Sequence, residues 1–287
     1  MIVITGAGGF IGSVLIGYLN SLNITNLVLF DDLPTGDQFK NLVGKKFISL
    51  HSTEEYFQDS NGVECVIHLG ANSSTLEKDW NSLYRTNVLS TRVWSRFCLQ
   101  NEIPFIFASS AAVYGNSAGP LNHYAFSKQL SENEVDGVIL RLFNVYGPNE
   151  YHKGRMASTI YHWYQQTRVT NTIELFAGSD QMIRDFIYVE DVAKIIYYFM
   201  KNYKPGVYDI GTGNSASFET LAGVLVKETN ADKLYIDMPT DLTQQYQRYT
   251  CANLSNLIEA GFDTKQLRSI ADAVPEYCRY LKTDQIY

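Results

Sequence analysis

The chain has 287 residues, 45% of them hydrophobic, enough to bury the core of one large α/β domain or two unequal lobes and too apolar for a disordered tail. Thirty acidic residues against 23 basic ones give a formal charge of −7, with no Lys/Arg-rich block. This argues against a nucleic-acid or anionic-membrane partner and leaves room for a small anionic ligand held by a few arginines. Four widely spaced cysteines (Cys65, Cys98, Cys251, Cys278) form no CxxC pair, so neither a metal site nor a disulfide framework is expected. Met1 runs directly into IVITG, and no run approaches the ~20 apolar residues of a membrane span. A soluble, unprocessed, cytoplasmic protein is expected.

In chain order, IVIT, LVLFDD, KFISL, ECVIHLG, IPFIFASS and GVILRLFN read as short buried strands. Helical stretches such as Phe10 to Ser21 and Leu83 to Gln100 separate most of them. That rhythm predicts a Rossmann-like doubly wound parallel sheet. After Gly147-Pro148 it loosens, with VYDIG and KLYIDM as later strands and a helix from Gln266 to Leu281. No repeat or linker interrupts the chain. The predicted organisation is a dinucleotide-binding domain over 1–147 and a smaller α/β lobe, mainly substrate-binding, over 148–287, with segments of the second half returning to the first.

The first functional signal is ITGAGGFIG. Gly6, Gly9 and Gly12 follow a strand and open a helix, as a tight turn requires when a pyrophosphate approaches the backbone at a helix N-terminus. A second strand ends in Asp31-Asp32, nineteen residues after Gly12, where an acid can accept hydrogen bonds from a ribose. Further on, YAFSK puts Tyr124 and Lys128 on one helix face. The ammonium is expected to favour the phenolate of Tyr124, and Ser110, at the end of FASS, can bond the same substrate oxygen. Lys153, in GPNEYHKGRMAS, reads on its own as a solvated loop lysine.

TGAGGFIG, SSAAVYG, YAFSK and FNVYGP together resemble the extended short-chain dehydrogenase/reductase superfamily that acts on nucleotide sugars. GPNEYHKGRMAS, LFAGSDQMIRDFIYVEDV, GTGNSASFETLA and QQYQRYTCANLSNLIEAGF are similar to the ADP-glycero-manno-heptose 6-epimerases. The resemblance implies inversion of C6 of an ADP-heptose, by oxidation to a ketone with a tightly held nicotinamide dinucleotide, one per subunit, and re-reduction from the opposite face. Tyr124 and Lys153 would serve as the two proton-transfer groups, with Ser110 orienting the oxygen and Lys128 holding the nicotinamide ribose. It further implies that Phe10, Ile11, Gln38, Leu69, Gly70, Ala71, Asn87 and Val145 line the cofactor. Ser73, Asn144, Arg155, His162, Phe176, Ala177, Gly178, Ser179, Arg184 and Tyr246 would line the substrate, with Arg184 at its diphosphate, in a homo-oligomer. A bland alternative pairs Arg184 with Asp185 and packs His162 on its helix neighbours.

The chain departs from that pattern in places. The segments from Tyr114 to Tyr124 and after Lys128 are short, and Arg155 replaces a serine. Gln38 stands where a lysine often meets a 2′-phosphate, and Asp31 and Asp32 would repel one, so NAD is expected over NADP. Ala111 and Ala112 occupy the place of a dehydratase's acid pair. A 4-epimerase or 4-reductase would need only the tyrosine and would leave Lys153 unexplained. A non-catalytic dinucleotide-binding regulator would not need the Tyr-Lys pair.

Overall fold

A computed structural model describes residues 1–34, 36–55, 57, 59–116, 118–239, 248–283 and 287. Its strands are β1 (Ile2–Thr5), β2 (Leu27–Phe30), β3 (Ser49–His51), β4 (Cys65–His68), β5 (Phe105–Ser110), β6 (Val138–Leu142), β7 (Val145–Tyr146), β8 (Thr172–Phe176), β9 (Ile183–Arg184), β10 (Ile187–Tyr188), β11 (Gly206–Ile210), β12 (Ala216–Ser217) and β13 (Asp232–Ile236). The helices are α1 (Phe10–Ser21), α2 (Trp80–Leu83), α3 (Ser90–Gln100), α4 (His123–Glu132), α5 (Thr159–Thr170), α6 (Val189–Lys201), α7 (Phe218–Thr229), α8 (Ser255–Glu259) and α9 (Ile270–Thr283).

Seven strands form one parallel sheet in the order β11-β6-β5-β4-β1-β2-β3. Both faces are covered, which explains why the central strands read as unbroken apolar runs. Alternate residues go to opposite cores: Ile4, Leu29, Ile67, Ile106 and Leu140 pack with α1 and α6, whereas Val3, Val28, Val66, Phe107 and Ile139 pack on the α3 side. A separate core joins Trp163 of α5, Leu175 of β8, Leu221 of α7 and Tyr277 of α9. β11, from far beyond residue 148, completes the main sheet beside β6, and β10 pairs with β7.

Three elements differ from the sequence expectation. The strand read at KFISL is confined to Ser49–His51, the part that pairs with β2 at the sheet edge. The helix expected from Leu83 to Gln100 contains a π-helical turn over Tyr84–Leu89. That turn aims Asn87 inward, where its amide donates to the Asn72 carbonyl (3.0 Å) and to Ser127 Oγ on α4 (2.8 Å). The last helix starts at Ile270, because a short 3-10 turn capped by Asp263 occupies Thr264–Gln266. Among the described residues no helix is long and apolar enough to cross a membrane.

Asp185, fully buried, joins the second core to the sheet end. Its Oδ1 accepts from the amide and hydroxyl of Thr212 (both 2.7 Å), and its Oδ2 from the amides of Gly213 (2.8 Å) and Ala252 (3.0 Å). The ion pair with Arg184 considered from sequence is not made. Arg184 turns to the Ile183 carbonyl (2.8 Å) and lies 5.9 Å from the Phe218 ring. Asp185→Ala would strand these donors and is expected to cost about 3 kcal/mol or more in equilibrium urea unfolding. Asp185→Asn, with one acceptor oxygen left, should recover only part of the loss.

Candidate active site

The glycine turn is shaped by backbone approach. Gly6 has φ +65°, and a Cβ there would lie 2.6 Å from the Gly70 nitrogen; a Cβ on Gly12 would lie 2.2 Å from the Gly6 carbonyl oxygen. Neither position can carry a side chain. The turn delivers the chain into α1, whose N-cap Gly9 makes no side-chain bond and whose first turn holds no acid. Its amide end is therefore open to an anion. Leu69 N donates to the Thr5 carbonyl (3.2 Å), and Gly70 N to Thr5 Oγ1 (3.1 Å). Ala71 follows, half-buried.

Behind this crossing, His68 is buried between the Phe105 and Phe107 rings. The hydrogen-bond chain fixes its tautomer. Because Gly70 N can only donate, the Thr5 hydroxyl is free to donate to His68 Nδ1 (2.7 Å). On the other side, the Asn87 carbonyl can only accept from Thr91 Oγ1 (2.6 Å), so His68 Nε2 is the donor to that hydroxyl (3.1 Å). Burial, reinforced by Lys128, pushes the imidazole down to about 3.

The two acids after β2 part company. Asp31 faces the glycine turn, accepting from Gly8 N (3.0 Å), Leu33 N (2.8 Å) and Gln38 Nε2 (3.3 Å). Burial raises its carboxyl, against the opposing pull of the Leu33 and Gly8 amides. Asp32 turns to the loop after β3, accepting from Ser52 Oγ (2.7 Å) and Thr53 N (2.8 Å). Only Asp31 of the pair is poised at the turn. Gln38 is buried against it, so the place expected for a 2′-phosphate holds a carboxylate and a neutral amide. This donor set fits NAD: a bare helix N-terminus for a pyrophosphate and one carboxylate for ribose hydroxyls.

Ser110 ends β5, and Asn122 caps α4 by accepting from Ala125 N (2.8 Å), which sets Tyr124 in the first turn of that helix. Tyr124 is buried, and desolvation raises its phenol while a hydrogen bond with Ser110 works the other way. Lys128, expected to favour the Tyr124 phenolate, is bonded elsewhere in this structure. Its ammonium donates to the Ala108 carbonyl (2.7 Å) and lies 4.7 Å from the Phe107 ring, and it is not among the groups acting on Tyr124. Burial brings Lys128 down to about 7, with Glu132, one turn further on, opposing. Glu132 in turn holds Ser109 Oγ (2.5 Å) and takes a two-pronged bond from Arg141 (2.9 and 2.6 Å).

Lys153 is not a solvated loop lysine. It sits in a 3-10 turn over Tyr151–Met156, half-buried, with its ammonium 5.2 Å from the ring of Phe10, the first residue of α1. Burial lowers its pKa and Glu150 raises it. Neighbouring bonds pin the loop to the glycine turn: Asn149 Nδ2 donates to Ser13 Oγ (2.9 Å), and Asn41 Nδ2 to the Gly8 carbonyl (2.9 Å) and the Asn149 carbonyl (3.3 Å). Among the described residues no contact joins Lys153 to Ser110 or Tyr124. Ile11 and Val145 flank the Phe10 cluster.

The remaining sequence candidates are more dispersed. Asn144 Nδ2 donates to the Asp185 carbonyl (2.9 Å). Phe176 ends β8, Ala177 N bonds the Ile236 carbonyl (2.8 Å), Gly178 turns with φ +80°, and buried Ser179 donates to Glu219 (2.9 Å). His162 lies edge-on to Tyr161 on α5. Ser73 and Arg155 are exposed, and Tyr246 lies outside the described residues. Glu150 and Asn41, which knit the loop to the turn, were not singled out from sequence; their partners are too remote along the chain.

A bare-glycine dinucleotide turn, an acid after the second strand and a Ser-Tyr-Lys set at the end of β5 and on α4 define a short-chain dehydrogenase/reductase site. Residues 2–211 match the NAD dependent epimerase/dehydratase family, and the chain belongs to it. Among solved structures, it is similar to the ADP-L-glycero-D-manno-heptose-6-epimerase of Helicobacter pylori, at 26% identity over 98% of this chain and 96% of that one, with a TM-score of 0.83. The fold is shared with the UDP-N-acetylglucosamine 4-epimerase of Methanobrevibacter ruminantium M1 (23% identity, 99% and 98% covered, TM-score 0.83). It is shared also with the UDP-glucose 4-epimerase of Thermotoga maritima (21% identity, 98% of each chain, TM-score 0.80).

Two outcomes follow from this geometry. Asp31→Ala should weaken NAD about tenfold or more in direct titration, and Gln38→Lys should raise NADP affinity relative to NAD. In Ser110→Ala, Tyr124 loses the bond that favours its phenolate, so the rising limb of the kcat/KM profile should move to higher pH.

Proposed function

We propose that the protein inverts C6 of an ADP-heptose while retaining one NAD per subunit. The observation that carries this reading is Lys153: a half-buried ammonium with a lowered pKa, on the loop pinned to the glycine turn, in addition to Tyr124. Inversion at a carbon bearing a hydroxyl needs a proton-transfer group for each face. A 4-epimerase that flips its sugar past one tyrosine has no use for Lys153. The similarity to the Helicobacter pylori enzyme, extending over nearly the whole chain, supports the same reading.

A bound nicotinamide supplies reversible oxidation at the reacting carbon. The chain's own residues do the rest. Tyr124 takes or gives the hydroxyl proton on one face, with Ser110 stabilising the phenolate and orienting the oxygen. Lys153 does so on the other, its burial bringing a neutral amine within reach. Lys128 would hold the nicotinamide ribose. Arg184 would make a charge-assisted contact with the diphosphate, and Asn144, His162, the 176–179 segment and Tyr246 would bind the rest of the nucleotide sugar. Ala111 and Ala112 offer no acid for expelling water.

Tyr124→Phe and Lys153→Met should each lower turnover of ADP-heptose by about 10²–10⁴-fold, followed at C6 by NMR, with bound NAD retained. Near-normal turnover in Lys153→Met, or inversion of a UDP-sugar at C4 in place of the heptose, would favour the one-tyrosine route. No side chain in this scheme takes up the carbon-bound hydrogen. Reaction in heavy water should therefore leave no deuterium at C6 by mass spectrometry, and substrate deuterated at C6 should keep its label.

A further inference from the structure

Glu150 is 1% exposed and lies one turn before Lys153. Its Oε1 accepts from Gly147 N (3.2 Å), Ser158 Oγ (2.7 Å) and Tyr277 OH of α9 (3.0 Å), and its Oε2 accepts from Ser158 N. These bonds close both ends of the loop and seat it on the second core. The two main-chain amides, which can only donate, require two acceptor oxygens. Among the described residues Glu150 makes no ion pair, and the charge that acts on it is that of Lys153, which feels Glu150 in return.

We propose that Glu150 is a positioning residue for Lys153: its carboxylate splices the loop from Gly147 to Ser158 into one shape and serves as the counter-charge of the Lys153 ammonium. Burial raises the Glu150 carboxyl, against the pull of the Ser158 amide and hydroxyl and of Lys153; once ionised and bonded only by neutral donors, its charge is felt across a poorly hydrated gap more strongly than in water. The other titratable groups around the pair do not compete. His152, on the same turn, is driven towards its neutral form by burial, and Tyr161 of α5 and Tyr277 of α9 are held neutral, their phenols raised by burial and by Glu150. The Phe10 face on α1 is uncharged. Glu150 therefore opposes the desolvation that favours the neutral amine. It favours the protonated form of Lys153 against that desolvation, which deepens the two-base reading of the site and rests on it for the effect on rate.

The charge itself can be read without substrate. Competitive labelling with trace acetic anhydride across pH, followed on the tryptic peptide 142–155, reports Lys153 alone, because that peptide contains one lysine. In Glu150→Gln the titration midpoint of Lys153 should shift down. Ser158→Ala and Tyr277→Phe, which loosen the loop and keep the charge, should leave it in place. An unchanged midpoint in a folded Glu150→Gln protein overturns the proposal.

Since Glu150→Gln also leaves one amide without an acceptor, Lys153→Met provides a second measurement on a loop whose bonds are intact. Its loss of Tm should be present at pH 8 and fade at acid pH as Glu150 is protonated; an equal loss at both pH values would mean that Lys153 only packs on Phe10, and would overturn the proposal. Glu150→Gln should lower turnover of ADP-heptose about tenfold or more. Should the midpoint and the Tm behave as expected while Lys153→Met still turns over, the counter-charge stands and the two-base reading falls.

Discussion

Two main chains cross without side chains at Gly6 and Gly70, and the rest of the site is built outward from that crossing. A methyl group on Gly6 would push β1 and β4 apart at their C-terminal ends. Because they touch, α1 begins immediately, with Phe10 as its first residue and its amide end bare. Phe10 is in turn the surface on which Lys153 rests, and Ser13, one turn along, receives Asn149 from the same loop. A displacement at the crossing would therefore reach the dinucleotide turn and the distal lysine together.

Buried acids do much of the splicing around this framework. Asp185 and Glu150 are bonded by amides and hydroxyls of segments that would otherwise end in loops, and among the described residues neither is in an ion pair. Main-chain donors suit this task, because they cost no side-chain ordering and cannot be replaced by water once the loops close. Glu132 differs. It takes Arg141 as a partner and lies one turn beyond Lys128, so it links the Tyr-Lys helix to β5 and β6 and tempers the deprotonation of Lys128.

Much of this was legible in the sequence wherever the signal is local. The glycine spacing, the apolar runs of the parallel strands and the four-residue step from Tyr124 to Lys128 are short-range patterns, and each marks an element that forms where it was read. The separate fates of Asp31 and Asp32 were not legible, since adjacent side chains on a strand point to opposite sides and only the fold says which side meets the turn. Glu150 carried no signal in the sequence because its partner Tyr277 is 127 residues away. The bond that Lys128 makes was not legible for a similar reason: helix spacing puts it on one face with Tyr124, but the lysine is long enough to reach the Ala108 carbonyl on β5.

The relay through His68 has a bearing on how the enzyme can be studied. Thr5, His68 and Thr91 form a proton-ordered wire behind the crossing, and the imidazole at its centre stays neutral down to about pH 3. His68, the one imidazole in that wire, thus adds no inflection of its own where Lys128, brought down to about 7, changes state, and a Thr5 or Thr91 variant can be compared with the parent across that range at constant charge in the relay.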